Sequence, residues 1–375
     1  MQVKKVLIIG GGFSGLASGI ELLKNGAEVE IVEKNANWKA YGAGITVIGP
    51  MLRCLEHLGL YEEFTKKGSV HNDIEIRLQN GNPMGTVPTF SAAGSKAPGI
   101  GAIMRPILGD IMADKYQELG GKVRVGCTFT TLEESADGVQ VAFTDNTKGT
   151  YDVVIGADGL NSQVRETIIP NAPKPSPSGQ GVWRAVMDRP KEAQSVIFWV
   201  HPTAHMKMGI NPISKTQMYI FVNNNQGMER IEKSAQLSML KDLVSQFEDP
   251  MIQKIANELN EDSQAIYRPL EYLLLEKPWY KGRIVLVGDA IHATTPHLAF
   301  GAGMGLEDGL AIAEELIKAP SIAQAFESYQ NRRWERVSMV IRNSLRLGEI
   351  EKTGGDMQEH STIMKESNIA LNQPF

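Results

Sequence analysis

The stretch that most constrains the fold is "KKVLIIGGGFSGLASGIELLKNGAEVEIVEKN", close to the N-terminus. Val6, Leu7, Ile8 and Ile9 form an unbroken apolar run, which predicts a parallel strand buried on both faces. Gly10, Gly12 and Gly15 follow as G-x-G-x-x-G, and Leu16, Ile20, Leu22 and Leu23 then recur at helical spacing up to a stop at Asn25-Gly26. A second strand is predicted over Glu28 to Glu33, so the unit is βαβ. In such a unit the first glycine permits the tight turn, the second lets a pyrophosphate approach the backbone, and the third allows close packing of helix on strand. Unpaired amides at the helix start, with a macrodipole of about half a charge, favour an anion there. Glu33 lies 33 − 15 = 18 residues beyond the last glycine, at a strand end where a carboxylate can accept hydrogen bonds from ribose hydroxyls.

At 375 residues the chain exceeds the roughly 250–300 at which one core stops growing, so two joined domains or one large one are expected. Lys and Arg number 38 against 43 Asp and Glu, a net charge of −5 that argues against nucleic acid as a partner. The two cysteines, Cys54 and Cys127, make neither a disulfide framework nor a CxxC pair, which fits a reducing, cytoplasmic setting. No metal-ligand spacing and no Gly-x-Ser-x-Gly elbow occurs. Nor does any apolar run approach the roughly 18 residues of a membrane span, so a soluble protein without a membrane partner is expected.

Along the chain, α/β segments alternate with antiparallel ones. Residues 74–90, with "NGNPMG", read as a hairpin, and 130–155 as a meander ending on an apolar strand. Residues 182–222 read as antiparallel strands and 234–259 as helix. The expected fold class is α/β, a Rossmann-like parallel-sheet domain joined to a smaller domain of mostly antiparallel sheet and helices. The expected division gives 1–71, 99–176 and 275–345 to the first domain, 72–98 and 177–274 to the second, and 346–375 to a helical tail.

Two later segments repeat the logic of the first. In "VVIGADGLNSQVR" and in "RIVLVGDAIHATTPHLAFGAGMGLEDG" an apolar strand runs into a Gly/Asp turn and then a helix. Asp289 at such a strand end can bind a sugar hydroxyl, while Gly301, Gly303 and Gly305 are expected to free backbone amides ahead of a helix. One extended ligand, with phosphates, a polyol and a ring system, can touch all three strand ends.

The three segments, in this order, resemble those of the class A FAD-dependent aromatic hydroxylases, the 4-hydroxybenzoate hydroxylase fold, and in local wording its salicylate hydroxylase-like members. The resemblance implies FAD as cofactor, with a FAD-binding first domain and a substrate-binding second one. It places Gly10, Gly12, Ser14, Gly15, Glu33 and Lys34 on the ADP half, with Phe129 offering backbone contacts to the adenine. Asp158 and Gly159 fall on the motif tied to FAD and pyridine-nucleotide use, and Gly288 and Asp289 on the ribityl region. Pro296, Gly301, Ala302 and Gly303 fall near the isoalloxazine, and Arg105 matches an arginine that contacts FAD. "YGAGI", Tyr41 to Ile45, resembles the loop beside the flavin, bringing in Gly44 and Ile45. The chain departs from many relatives at Leu298, Ala299 and Phe300, where bulk stands in place of backbone beneath the flavin.

The implied reaction is hydroxylation of a small aromatic or heteroaromatic compound, using NADH or NADPH and O2 through a flavin C4a-hydroperoxide, by a monomer or homodimer. No second G-x-G-x-x-G follows a strand, so no separate pyridine-nucleotide domain is expected. An imidazole suits proton acceptance near neutral pH, which makes His297 and His205 the candidates for facing substrate, with Tyr219 orienting a polar group. His205 reads equally well as a structural histidine, and His292 as one packing a strand-helix turn. Arg332, Arg333, Arg336, Arg342 and Arg346, interleaved with Glu335 and Glu349, read as a solvated helix face. Competing readings are a FAD-dependent oxygenase of a polycyclic or antibiotic substrate, a flavin dehydrogenase, and a flavin-binding module without turnover.

Overall fold

In the computed structural model the described residues are 3–39, 42–135, 137–225, 227 and 230–375. Tyr41 of the expected flavin loop lies outside them. The apolar run becomes strand β1 (Lys5–Ile9), in which Val6, Leu7 and Ile8 are wholly buried. Helix α1 (Phe13–Lys24) and strand β2 (Glu28–Glu33) complete the unit.

β1 sits inside a six-stranded sheet, between β2 and the Val153–Gly156 strand. Beyond β2 lies Lys122–Val125, and beyond Val153–Gly156 come Ile284–Leu286 and then Tyr280–Lys281. All pair in parallel except the Tyr280–Lys281 edge. The register aligns Ile9 with Gly156, and Gly156 with Leu286. The three motif-bearing strands are therefore neighbours that end level with one another. At about 4.8 Å per strand their tips span only about 10 Å.

A second sheet has eight strands, in the order His292–Ala293, Ile266–Leu274, Ser176–Asp188, Gln217–Asn224, Met206–Pro212, Val196–His201, Asp73–Leu78 and Pro83–Pro88. Side chains alternate across it. Trp183, Ile220, Val222 and Met208 pack on one side against Leu240, Val244 and Phe247. Tyr219 and Ile213 meet Ala102 of the Ile100–Met104 strand on the other. That second face closes on the nucleotide-type domain.

The helix expected over 234–259 is two helices, Lys233–Val244 and Pro250–Glu258. Pro250 cannot continue a helix from its N-terminal side, and Asp249 caps the new start by accepting from the Met251 amide at 2.8 Å. The expected tail boundary at 345/346 falls inside one 32-residue helix, Ile322–Thr353. Its buried stripe, including Val337, Val340, Ile341 and Leu347, belongs to the main core. Among the described residues no helix is long and apolar enough to cross a membrane.

Candidate active site

The site begins where the chain leaves β1. Gly10 has φ +106°, and a side chain there would collide with the carbonyl of Ala157 at the neighbouring strand tip. Gly15 lies against the Gly10 carbonyl in the same way. At Gly12, by contrast, an added Cβ would meet nothing within 4 Å. Gly12 is the N-cap of α1 and no side chain caps that end. Open space beside Gly12 and a helix start without a side-chain cap together make a cradle that suits a phosphate.

Both oxygens of Glu33 are anchored next to this cradle, one by the Gly11 amide at 2.9 Å and the other by the Asn35 amide at 2.7 Å. The Cys127 amide donates to the Glu33 carbonyl at 3.1 Å, which brings the buried Phe129 to the same edge. Lys34 points outward, exposed. Asp158 is committed locally: it accepts from the Ser162 hydroxyl and from the Val164 amide at 3.1 Å, ordering the turn into the Gln163–Ile168 helix. Burial raises its pKa against those hydrogen bonds. Gly159, at φ +76°, leaves room beside it.

Ser14 joins the first segment to the third. Side chains at Gly288 or Gly305 would each collide with its hydroxyl, and one at Gly309 would meet the Ser14 carbonyl and Ser18. Gly305 and Gly309 are therefore packing glycines, which let the Gly301–Lys318 helix lie directly on α1. The expectation that Gly301, Gly303 and Gly305 precede a helix is corrected, because all three lie within it. Gly301, Ala302 and Gly303 form its first turn, following the Pro296–Leu298 turn. The expected bulk beneath a flavin turns away: Leu298 and Phe300 are buried in the core, and Phe300 occupies the space over Gly303. Ala299 takes φ +51° to permit this.

Asp289 is exposed by its accessible surface and yet densely surrounded by protein, the pairing expected of a group lining a channel. Loss of water raises its pKa, with His292 and Arg105 opposing and Asp308 adding to the rise. Arg105 heads the Arg105–Glu118 helix, its guanidinium 5.2 Å from the centre of the Phe13 ring. Against the Gly44–Ile48 strand the second sheet presents Tyr219, whose ring fills the space over Gly44 and whose hydroxyl bonds Thr46. Ile45 lies between them on the same strand, Gly44–Ile48.

His297 is buried, with Nδ1 2.9 Å from the Thr295 hydroxyl and Nε2 3.6 Å from Glu351. Burial lowers its pKa to about 4, against the pull of Glu351, so the ring is neutral at pH 7. His205 stands apart. It occupies an exposed left-handed turn between two strands, against Gly354. Asn211 pairs with Tyr219, and the six residues back to 205 correspond to about 20 Å of strand. Tyr219 and His205 are not brought together.

The arginine face is corrected. Arg333 is wholly buried, 2.8 Å from Asp308 and 2.9 Å from Glu307, and Arg336 lies 2.7 Å from Glu307. Arg342 and Arg346 do remain exposed. Asp308 accepts from the Gly288 amide at 2.9 Å and lies 2.5 Å from the buried His292, so it fixes the turn that carries Asp289. Two adjacent carboxylates inside the apolar "GLEDGLAIA" are the signal that identifies this cluster from sequence.

A family model for the FAD binding domain matches residues 4–344. The chain belongs to the class A flavoprotein monooxygenases. It is 28% identical over 349 residues to the 2-heptyl-3-hydroxy-4(1H)-quinolone synthase of Pseudomonas aeruginosa, covering 92% of this chain and 89% of that protein. It is 28% identical over 362 residues to the 6-hydroxynicotinate 3-monooxygenase of Bordetella bronchiseptica, covering 92% and 91%. The crystal structure of Klebsiella pneumoniae HpxO complexed with FAD and uric acid superposes with a TM-score of 0.81 at 23% identity, over 98% of this chain and 92% of that one.

The glycine cradle makes its own prediction. Gly12→Ala is expected to leave the apoprotein's melting temperature nearly unchanged, because the new methyl meets nothing, while FAD affinity falls about tenfold or more as the phosphate loses its closest approach. Flavin retained after gel filtration at wild-type level would show that no phosphate lies there.

Proposed function

We propose that the protein hydroxylates a small aromatic or heteroaromatic substrate, with FAD as bound cofactor, NADH or NADPH as reductant and O2 as oxidant. The observation that carries this reading is the level ending of three adjacent parallel strands at Gly10, Ala157 and Val287, opposite a sheet face that bears Tyr219. One long cofactor reaches all three tips. Gly12, Ser14 and the start of α1 take its pyrophosphate, with Gly10 and Gly15 shaping the turn, and Glu33 takes the ribose with Lys34 beside it. The Phe129 backbone borders the adenine. Asp289 and Gly288 take the ribityl chain, with Arg105, Asp158 and Gly159 around it. Pro296, Gly301, Ala302, Gly303, Gly44 and Ile45 border the ring.

Bound there, FAD supplies electron transfer from the nicotinamide and activation of dioxygen. The chain supplies the surroundings. The closed sheet face excludes water, and burial keeps Tyr219 protonated at neutral pH as a group that orients the substrate. His297, enclosed between Thr295 and Glu351 and held neutral, is a positioning residue behind the ring site, since a folded value of about 4 makes it a weak proton acceptor at pH 7. By their names, one relative above makes a quinolone and the other acts on 6-hydroxynicotinate, and uric acid is the ligand in the HpxO structure. This supports a heteroaromatic compound here.

The test is a screen of aromatic acids, purines and pyridine derivatives for accelerated NADH or NADPH oxidation, with heavy-oxygen labelling of the product. Failure of every compound to stimulate oxidation would overturn the reading. For His297→Ala, bound flavin should be retained while product formed per nicotinamide consumed drops; unchanged coupling would remove the proposed role. The same histidine gives a stability signature. Its ordinary value of 6.5 exceeds the folded value of about 4, so the unfolded chain takes up the proton first. Its contribution makes stability rise with pH between those values and level off above them. His297→Ala should flatten that window in denaturant midpoints.

A further inference from the structure

The side of the eight-stranded sheet that faces the Gly44–Ile48 strand carries positive charge that no carboxylate among the described residues neutralises. Strand pairing defines that face. Arg184 lies opposite Phe221, Val186 opposite Tyr219, and Val182 opposite Arg268, so Tyr219, Arg184 and Arg268 all project to the same side. Tyr219 marks the side as the one closing on Gly44 and Thr46.

The Arg184 guanidinium makes no hydrogen bond or ion pair among the described residues, although protein surrounds it and only part of it is accessible. Its surroundings make the omission costly. Burial lowers its pKa, and the titratable neighbours acting on it are the neutral Tyr219 and the cations Arg105 and Arg268, with no carboxylate among them. A guanidinium does not give up its proton at working pH, so the charge remains and awaits a partner. An ionised group enclosed by protein without a counter-charge is unfavourable, and a ligand anion removes the penalty.

We propose that Arg184, backed by Arg268, binds an anionic group of the substrate, a carboxylate or a ring oxyanion, and so selects anionic heteroaromatic compounds over neutral ones. This rests on the hydroxylase reading above. The planar guanidinium suits either group, since both accept two parallel N–H bonds or one short charge-assisted bond. Asn211 lies on the same sheet face two strands away, opposite Tyr219, fully buried and with neither side-chain polar atom bonded, so hydrogen-bonding capacity on that face is also unspent. A phosphate of FAD is the other anion available to the cleft, and the test separates the two.

The holoenzyme is titrated with matched pairs, 6-hydroxynicotinate against its primary amide and benzoate against benzamide, following perturbation of the bound flavin's absorbance. The expected result is that at least one acid binds about tenfold or more tightly than its amide. Arg184→Gln should bring the ratio close to one with FAD retained, and Arg184→Lys should keep part of it. No preference for the acid in either pair, or a preference unchanged by Arg184→Gln, overturns the proposal. Loss of FAD from Arg184→Gln with retention in Arg184→Lys also overturns it, by assigning the guanidinium to a cofactor phosphate. Binding is read without turnover. A chain that prefers the acids yet hydroxylates nothing would sink the hydroxylase reading alone.

Discussion

Replacing Asp308 by Ala should destabilise the protein by about 3–5 kcal/mol, the range for removing one partner of a buried ion pair. The carboxylate serves three donors at once: the Gly288 amide at 2.9 Å, His292 at 2.5 Å and Arg333 at 2.8 Å, and both it and Arg333 are wholly buried. Without it His292 and Gly288 lose their acceptor, and among the described residues Arg333 keeps one carboxylate partner, Glu307 at 2.9 Å. Asp308→Asn keeps the shape and one acceptor oxygen and should cost less. Burial works to raise the Asp308 pKa, but His292 and Arg333 hold it well below 3.8. A carboxylate with a depressed folded value stabilises fully above its unfolded value and loses that contribution as pH falls. Wild type should therefore weaken below pH 4 more steeply than Asp308→Asn. The midpoint of denaturant unfolding of the apoprotein is the measurement, and a loss under about 1 kcal/mol for Asp308→Ala would show that the ion cluster is not what holds the Gly288 turn.

The same residue shows where sequence reasoning runs out. The βαβ unit is legible because its signals are local: four apolar residues, three glycines at fixed spacing and an acid one strand later all lie within 33 − 6 = 27 positions of each other. The eight-stranded sheet is legible as mostly antiparallel material, since alternation is also local, but the parallel pairing of Val196–His201 with Asp73–Leu78 joins distant segments and is not. Asp308 and Arg333 are 25 residues apart on two helices, and only the packing of those helices turns a charge-rich stripe into a buried cluster. Charge pattern alone favoured solvent for Arg333, and packing overrode it. Arg184 is illegible in the sequence for a similar reason. Which face of the Ser176–Asp188 strand meets the cleft depends on register with two distant strands. His205 drew notice as an imidazole in antiparallel surroundings, yet a turn residue and a sheet-face residue look alike in one dimension.

Glycine carried two meanings that the sequence does not separate. Gly12 and Gly305 belong to similar-looking runs, but an added Cβ at Gly12 enters open space while one at Gly305 meets Ser14. The first is kept free for a ligand and the second for a neighbouring helix. The late glycine-rich segment is thus only partly a second ligand loop. Its beginning supplies Asp289 and the first amides of a helix, and its end supplies the close helix contact that holds the first loop in place.

Glu33→Ala should lower FAD affinity by about one to two powers of ten. A hydrogen bond to a charged acceptor is worth about 1.5–3 kcal/mol, and each 1.4 kcal/mol is a factor of ten. In the protein alone, one Glu33 oxygen is held by Gly11 and the other by Asn35, which fixes the carboxylate beside the Gly12 cradle without using all its lone pairs. The remaining acceptor sites are what a ribose needs, and anchoring by two backbone amides means that little side-chain freedom is lost on binding. The substitution also leaves those two amides without their acceptor, so part of the loss passes through a looser loop. Glu33→Gln separates the contributions: it keeps one acceptor oxygen for the loop but weakens every bond to the sugar by removing the charge, so its FAD affinity should fall between wild type and Ala while apoprotein stability stays nearer wild type. Flavin release on dilution, followed by fluorescence, measures the first quantity, and denaturant unfolding of the apoprotein the second. Equal retention of FAD by all three proteins would place the ribose elsewhere and detach the β2 tip from the cofactor site.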